Sequence, residues 1–328
     1  MTNSKTIASR IRPALLASVA AVATLTACKF GSYEPSVPQL RLHYAADGAA
    51  AVSHDGAHLF ATDLLDAGGM SDKRLRVFDI STGLEEGNIA LSGSWGAVAM
   101  AEDTTDVDQA WVLHANGYQL LWRSDLAGID DWEAPIPGNF DPGFSSRMYC
   151  DMDRSNEGVT YVTTIDYADG APEAWLYRHT PGAGWDRTQD LDNGDVLYKC
   201  SRVSFDEYHD LAVLLHEDEL YVFDDMVFDG GVDLPPTAGG PYYSDLASFG
   251  GWATVGSVGT EPSGNGALRS VSIFDGTVDD LTELNRVHAV TLDFDEDGAG
   301  QVEDAHVWFT GFDSYPIKYA AGRFHLEY

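Results

Sequence analysis

Acidic side chains recur at alternate positions near the C-terminus of this 328-residue chain. Asp293, Asp295 and Asp297 are each separated by one residue, Gly298 follows directly, and Asp304 lies further along the same segment. Oxygen ligands at alternate positions, with a glycine that permits a sharp turn, suit a hard cation such as Ca²⁺. The spacing predicts a structural calcium site that clamps the last repeat. An acidic, solvated turn is the alternative, because such turns occur throughout the sequence.

The segment DFDEDGAGQVED, residues 293–304, resembles the calcium loops of EF-hands and of integrin-type propeller blades. It departs from the EF-hand pattern at Asp304, where a bidentate glutamate normally stands. It departs from the propeller pattern at Gln301, where an acid is usual. Both departures imply weaker calcium binding than the resemblance alone would suggest.

The sequence contains none of three familiar catalytic patterns: the G-x-S-x-G nucleophile turn, the H-E-x-x-H zinc helix and the phosphate-binding glycine loop. His216 stands beside three acidic residues in a stretch that is typical of a turn, so we expect it to be solvated. Any hydrolytic chemistry would therefore need carboxylates that the fold brings together from separate segments.

An aromatic-centred apolar run recurs six times along the chain. The aromatic residues are Phe78, Trp122, Tyr177, Phe223, Phe274 and Tyr319, at separations of 44, 55, 46, 51 and 45 residues. A second apolar run precedes each of them, an earlier one ends near an acidic or glycine turn, and a more polar run follows. Short alternating runs between turns predict strands rather than helices.

Four strands in each of six repeats predict an all-β fold, a six-bladed β-propeller spanning residues 40–328 with four antiparallel strands per blade. The six aromatic side chains are expected to pack between blades as core residues. Residues 40–45 or 323–328 are expected to supply the outer strand of the last blade. In the first repeat, VSHDGAHLFATD followed by RLRVFDISTG resembles the blade consensus of YVTN-type and Tol-system propellers. That resemblance implies the fold and no particular activity.

Two segments of the predicted propeller are candidate sites. Asp151 and Asp153 could form paired carboxylates at the mouth of the central channel. The long segment 226–245 contains Tyr242 and Tyr243, which predict a ligand-binding loop, because loops on a rigid scaffold often carry binding residues. A plain connection between blades is the alternative for that segment.

The N-terminal sequence predicts an export signal. Residues 1–27 contain three basic residues and an apolar stretch, Pro13–Leu25, that is too short to span a membrane. The sequence then reads Leu-Thr-Ala-Cys, which resembles the bacterial lipobox and implies lipidation of Cys28. Residues 28–39 are predicted to form a lipidated tether. Lys29 in place of aspartate implies transport to the outer membrane, whereas an ordinary secretory signal with an unmodified Cys28 is the alternative.

The chain is strongly acidic. Three of its 19 Lys and Arg residues and none of its 52 Asp and Glu residues precede position 28, so the mature chain holds 16 basic residues and a formal charge of −36. A surface of this charge repels phosphates, which excludes a nucleic-acid partner. The predicted partners are the membrane, through the lipid, and a protein, peptide or glycan in the cell envelope.

The two remaining cysteines, Cys150 and Cys200, occupy similar contexts one repeat apart. In an oxidising compartment this spacing favours a disulfide between neighbouring blades, with two buried thiols as the alternative.

Two functions follow from this sequence. The first is a non-catalytic binding or scaffolding lipoprotein of the cell envelope. The second is a calcium-dependent hydrolase, similar to a lactonase or a glycosidase, that uses carboxylates lining the channel. Three or more acids or histidines at the channel would favour the hydrolase.

Overall fold

The structure is a computed structural model of the whole chain. The part of the chain that it describes comprises residues 29–34, 49–53, 56–63, 74–90, 97–102, 109–114, 117–122, 136, 146–168, 171–188, 200–235, 243–257, 266–284, 286–296, 302–313 and 318–327. Every regular element among these residues is a β-strand. None of them belongs to a helix of the length and apolarity that a bilayer crossing requires. Residues 1–28, which include the signal segment and Cys28, lie outside the described residues.

The described strands form six antiparallel sheets. The first strand along the chain is β1 (Lys29–Glu34). Sheet one contains β2 (Ala50–Val52), β3 (His58–Asp63), β4 (Arg74–Asp79) and β5 (Glu85–Ala90), and sheet two contains β6 (Ala97–Glu102), β7 (Gln109–His114) and β8 (Gly117–Trp122). Sheet three contains β9 (Ser146–Arg154), β10 (Thr160–Ala168), β11 (Ala171–Thr180) and β12 (Gly184–Thr188).

The C-terminal half supplies three further sheets. Sheet four contains β13 (Arg202–Asp206), β14 (Leu211–His216), β15 (Glu219–Asp224) and β16 (Val227–Asp233). Sheet five contains β17 (Tyr243–Phe249), β18 (Trp252–Ser257), β19 (Gly266–Ser272) and β20 (Val278–Leu284). Sheet six contains β21 (Arg286–Glu296), β22 (Val302–Asp313) and β23 (Lys318–Glu327) together with β1. Within the described residues, five sheets have four strands and the second has three.

The first strands of the six sheets surround a common axis. Each of β2, β6, β9, β13, β17 and β21 contacts the first strand of the sheet before it and of the sheet after it, and β21 contacts β2. This closed order of sheets confirms the predicted all-β propeller with antiparallel strands. We call each sheet a blade and number the blades in the order given.

Burial along each strand follows its position in a blade. All six residues of β14 are buried, because this second strand has neighbours on both edges and blades against both faces. The outermost strand of the same blade, β16, alternates exposed and partly buried residues. The core therefore lies between the blades. One cluster joins Tyr161 and Leu176 of blade 3 to Phe205 and Leu214 of blade 4, with the rings of Tyr161 and Phe205 stacked at 4.9 Å.

The predicted aromatic core is correct in part. Phe78, Tyr177 and Phe223 are buried as expected. Phe274 is 57% exposed, so its assignment to the core is wrong. The reason is that β19 ends at Ser272, so Phe274 falls in the following turn, and Ile273 occupies the buried position instead.

The N-terminal strand completes the last blade. β1 pairs antiparallel with the C-terminal strand β23, with Lys29 opposite Glu327 and Glu34 opposite Arg323. The predicted tether is therefore wrong for residues 29–34, which form the outer strand of blade 6. Residues 323–327 belong to the third strand of that blade instead, and residues 40–45 lie outside the described residues.

The predicted disulfide between neighbouring blades is confirmed. Cys150 in β9 is bonded to Cys200, which lies two residues before β13, and their Cα atoms are 5.4 Å apart. The bond closes a loop with a sequence separation of 50 residues. It fixes the first strand of blade 3 to the beginning of blade 4, next to the central axis.

Candidate functional site

Three charged side chains from successive blades meet beside the central axis. Asp151 lies in β9, Arg202 begins β13 and Asp245 lies in β17. Because these are the first strands of blades 3, 4 and 5, all three residues lie on the inner wall of the ring. We call them the channel triad.

Arg202 connects the three strands of the triad. Its Nε donates to the carbonyl oxygen of Ser244 in β17 at 3.0 Å, and its Nη1 donates to the carbonyl oxygen of Cys150 in β9 at 3.1 Å. Nη1 also lies 3.9 Å from Oδ1 of Asp151. These contacts hold the guanidinium in place. Because the Arg202 side chain is 34% exposed, a ligand can still reach it.

The aspartates of the inner strands satisfy backbone groups of the next blade. Asp151 Oδ2 accepts the Val203 N–H at 2.7 Å, Asp153 Oδ2 accepts the Phe205 N–H at 2.7 Å, and Asp245 Oδ2 accepts the Val290 N–H at 2.9 Å. The first strand of a blade has a free sheet edge, whose N–H groups need acceptors when they are buried. These contacts give the two triad carboxyl groups fixed positions.

The surroundings change the acidity of both triad carboxyl groups. Burial raises the pKa of Asp245 to about 6, although the charge of Arg202 and the N–H groups of Val290 and Leu246 oppose this shift. Burial also raises the pKa of Asp151 well above its ordinary value, with the Arg202 charge opposing and the Asp245 charge adding to the shift. Both carboxyl groups therefore keep a proton to higher pH than an exposed aspartate does, and raised carboxyl pKa values of this kind suit residues that exchange protons in catalysis.

The predicted calcium residues lie in and beside a hairpin of blade 6. Asp293 and Asp295 are strand residues of β21, and Asp295 pairs with Asp304 of β22. Asp297 lies outside the described residues, so the four predicted ligands are not seen together. In the part of the chain that the structure describes, no three acidic, histidine or cysteine residues cluster closely enough to hold a metal ion.

The other predicted site residues have structural contacts. The Tyr243 hydroxyl donates to the Pro235 carbonyl at 2.7 Å and accepts from Arg269 at 2.8 Å, so it fixes the start of β17 against the end of the preceding segment. Tyr242 lies outside the described residues. The expectation that His216 is solvated is wrong: it is buried, with Nδ1 2.9 Å from the Ser201 hydroxyl oxygen.

Sequence reasoning found Asp151 and missed Arg202 and Asp245. A signal for Arg202 was present, because the two cysteines of the predicted disulfide stand one residue before Asp151 and two residues before Arg202. Asp245 had no such marker. It is one of many acidic residues near strand ends, and only the ring arrangement brings it to Arg202.

No protein-family model matches the sequence, and no curated protein sequence matches it either. Many solved structures share the fold. A calcium-binding protein, regucalcin, from Agrobacterium tumefaciens has a TM-score of 0.54 and 11% identity, over 91% of this chain and 95% of that one. A gluconolactonase from Xanthomonas campestris has a TM-score of 0.51 and 14% identity, over 91% and 98%. A neuraminidase-like protein of subtype N11, from A/flat-faced bat/Peru/033/2010, has a TM-score of 0.53 and 11% identity, over 91% of this chain and 94% of that one. At these identities the similarity shows the propeller fold alone.

Proposed function

We propose that the protein is a hydrolase of small polar esters or lactones, with Asp151, Arg202 and Asp245 as its catalytic residues. The observation that carries this proposal is the position of Arg202, held by carbonyl groups of both neighbouring strands beside two carboxyl groups of raised pKa. Propellers of this fold include a gluconolactonase, which agrees with the proposal at the level of fold. The binding or scaffolding role predicted from the sequence is the competing outcome.

Arg202 would bind the carbonyl oxygen of the substrate. A guanidinium stays protonated at any physiological pH, and its planar N–H groups stabilise the negative charge that develops on that oxygen during attack. Because both neighbouring strands hold the guanidinium in place, little reorganisation is needed when the charge forms. Removing one such donor typically lowers kcat by about 10²–10³-fold.

Asp245 would act as the general base and Asp151 as the general acid. Ionised Asp245 accepts a proton from the attacking water, whose oxygen bonds to the carbonyl carbon. Protonated Asp151 donates its proton to the leaving oxygen as the carbon–oxygen bond of the ester or lactone breaks. An ester gives a carboxylic acid and an alcohol, and a lactone gives a single hydroxy acid. The two carboxyl groups return to their starting states by exchange with solvent. Such acid–base assistance is worth about 10²–10⁴-fold in rate.

We also propose that the six sheets are the blades of one six-bladed propeller, which Cys28 anchors to the cell envelope through lipid. The lipobox-like residues and the preceding apolar segment support this proposal. Several acyl chains on one residue give stable anchoring, since each buried CH₂ contributes about 0.8 kcal/mol. The outer membrane is the proposed destination, and soluble envelope molecules would be the substrates or partners.

A structural calcium ion at Asp293, Asp295, Asp297 and Asp304 remains part of the proposal. Its support is the spacing of the acids and the cross-strand pairing of Asp295 with Asp304. The proposed catalytic steps use only the side chains of the channel triad.

The experiment is a hydrolysis assay with small lactones and nitrophenyl esters. Purified wild type is compared with Arg202→Lys, Asp245→Asn and Asp151→Asn, and circular dichroism checks that each variant is folded. Arg76→Lys is the matched control, because Arg76 pairs with Glu85 on blade 1, away from the inner strands. The proposal predicts hydrolysis by wild type and the control, and a loss of at least about 10²-fold in each folded triad variant. Equal rates in all variants, or no hydrolysis by wild type, would leave the binding role as the better account.

A further inference from the structure

The strand order gives the propeller two distinct faces. Each blade begins with its innermost strand and its strands alternate in direction, so the turns from first to second and from third to fourth strand share one face. We call this the lower face. The turns from second to third strand and the starts of the innermost strands lie at the opposite, upper face. Arg202 is the first residue of β13 and therefore lies toward the upper face.

Four large hydrophobic residues are exposed in or beside turns of the lower face. Leu84 (67% exposed) follows β4, Tyr208 (57%) follows β13, Val227 (68%) begins β16 and Phe274 (57%) follows β19. Single exposed apolar residues are ordinary on a protein surface. Four of them on the lower face of a strongly acidic protein, however, offer contacts to a partner that is itself apolar.

Two of these side chains belong to a rigid aromatic cluster that joins blades 4 and 5. The His209 ring makes T-shaped contacts with the Tyr208 and Phe274 rings, with ring centroids 4.9 Å and 5.1 Å apart. Phe274 covers Gly251 so closely that a Cβ at that position would lie 2.5 Å from its Cε2.

A buried carboxylate holds the backbone under this cluster. Asp206 accepts the N–H groups of Tyr208, Gly250 and Gly251 and faces the His209 ring nitrogen at 3.2 Å. The exposed rings are thus presented on a fixed base, which lowers the entropy lost when they bind a surface.

The N-terminus of the described chain reaches the same face. Lys29 pairs with Glu327 at the end of β23, the third strand of blade 6, and the ends of third strands lie at the lower face. Cys28 is the preceding residue, and consecutive Cα atoms are about 3.8 Å apart. Blade 6 stands between blade 5, which carries Phe274, and blade 1, which carries Leu84.

We propose that the lower face lies against the lipid surface, with Leu84, Tyr208, Val227 and Phe274 at the level of the headgroups and the channel triad facing away from the membrane. This inference rests on the proposed lipid anchor at Cys28. The mature chain has a formal charge of −36 and Asp225 of the lower face is exposed, so the surface that fits is a zwitterionic one rather than an anionic one.

The test uses the full lipidated protein reconstituted in phosphatidylcholine vesicles. An environment-sensitive dye is attached to an introduced cysteine in Val227→Cys, Phe274→Cys and, as the control, Glu217→Cys. Glu217 is exposed in the turn between β14 and β15, on the upper face, and already has a positive φ of 56° with a side chain present. Cys150 and Cys200 are bonded to each other and do not take the dye.

The expected result is a blue-shifted emission and several-fold weaker quenching by aqueous iodide at positions 227 and 274 than at 217. Equal quenching at all three positions, or protection at 217 alone, would overturn the inference. The mass of the N-terminal peptide separates the two proposals. If Cys28 carries lipid and the three dyes are quenched equally, the proposed anchor is supported and the proposed orientation is refuted. If Cys28 carries no lipid, both proposals are refuted. Val227→Cys keeps the test decisive if Phe274→Cys loosens the cluster.

Discussion

Removal of the Cys150–Cys200 disulfide should destabilise the propeller by a predictable amount. The bond closes a loop with a sequence separation of 50 residues. Loop-closure entropy for a loop of that length gives about 4 kcal/mol at 25 °C, because the reduced unfolded chain gains conformations that the folded chain does not. With about 2.1 cal/mol/K of unfolding entropy per residue over roughly 290 residues, this loss corresponds to about 7 °C in Tm.

The assay is calorimetric unfolding of wild type and of the Cys150→Ala/Cys200→Ala variant, each with and without a reductant. Reduced wild type is the matched control, since it keeps both sulfur atoms and loses only the bond. We expect reductant to lower the Tm of wild type by about 7 °C and to leave the variant unchanged. Cys150 is buried, so the variant should fall slightly below reduced wild type. A reductant effect below about 2 °C on wild type would refute the entropic reasoning.

Three further predictions concern stability. Asp206→Ala should lower the free energy of unfolding by at least about 3 kcal/mol, because it leaves several N–H groups of blades 4 and 5 without their acceptor. Asp224 is exposed, so Asp224→Ala should change the free energy of unfolding little; urea unfolding measures both variants. Burial raises the pKa of Asp245 to about 6, so its native state holds a proton that the unfolded chain releases near pH 4, and stability should fall as pH rises from 4 through 6. Measured by urea midpoints, this fall in stability should be smaller in Asp245→Asn and unchanged in the control Asp279→Asn, whose side chain is exposed. Identical pH profiles for wild type and Asp245→Asn would contradict the raised pKa of Asp245. Calcium should raise the Tm of wild type and not of Asp295→Asn/Asp304→Asn, and a calcium-independent Tm would count against the predicted site.

Elements with strong local patterns were predictable from the sequence. LAVLLH at 211–216 is an apolar run between turns and forms the fully buried β14. The similar contexts of Cys150 and Cys200 led to the disulfide, because two positions one repeat apart lie on neighbouring blades. Repetition supplied the architecture, since a blade is a local unit and the ring follows from its copies.

The features that were missed depend on distant parts of the chain. KFGSYE at 29–34 has no apolar alternation to mark it as a strand, and its partner β23 lies near the other end of the sequence. Phe274 was assigned to the core because the repeat was aligned on aromatic residues, and Ile273 fills that position instead. Arg202 and Asp245 meet only when blades 4 and 5 are placed side by side.

The most direct test of the channel triad is the pH dependence of kcat/KM for the best lactone or ester substrate. With Asp245 as base and Asp151 as acid, the rate should fall on the acidic side with an apparent pKa near 6. Asp245→Asn should lose this acidic limb together with most of the rate, while Arg76→Lys keeps both. A wild-type profile that stays flat from pH 4 to 8, or an active Asp245→Asn with the same limb, would contradict the account.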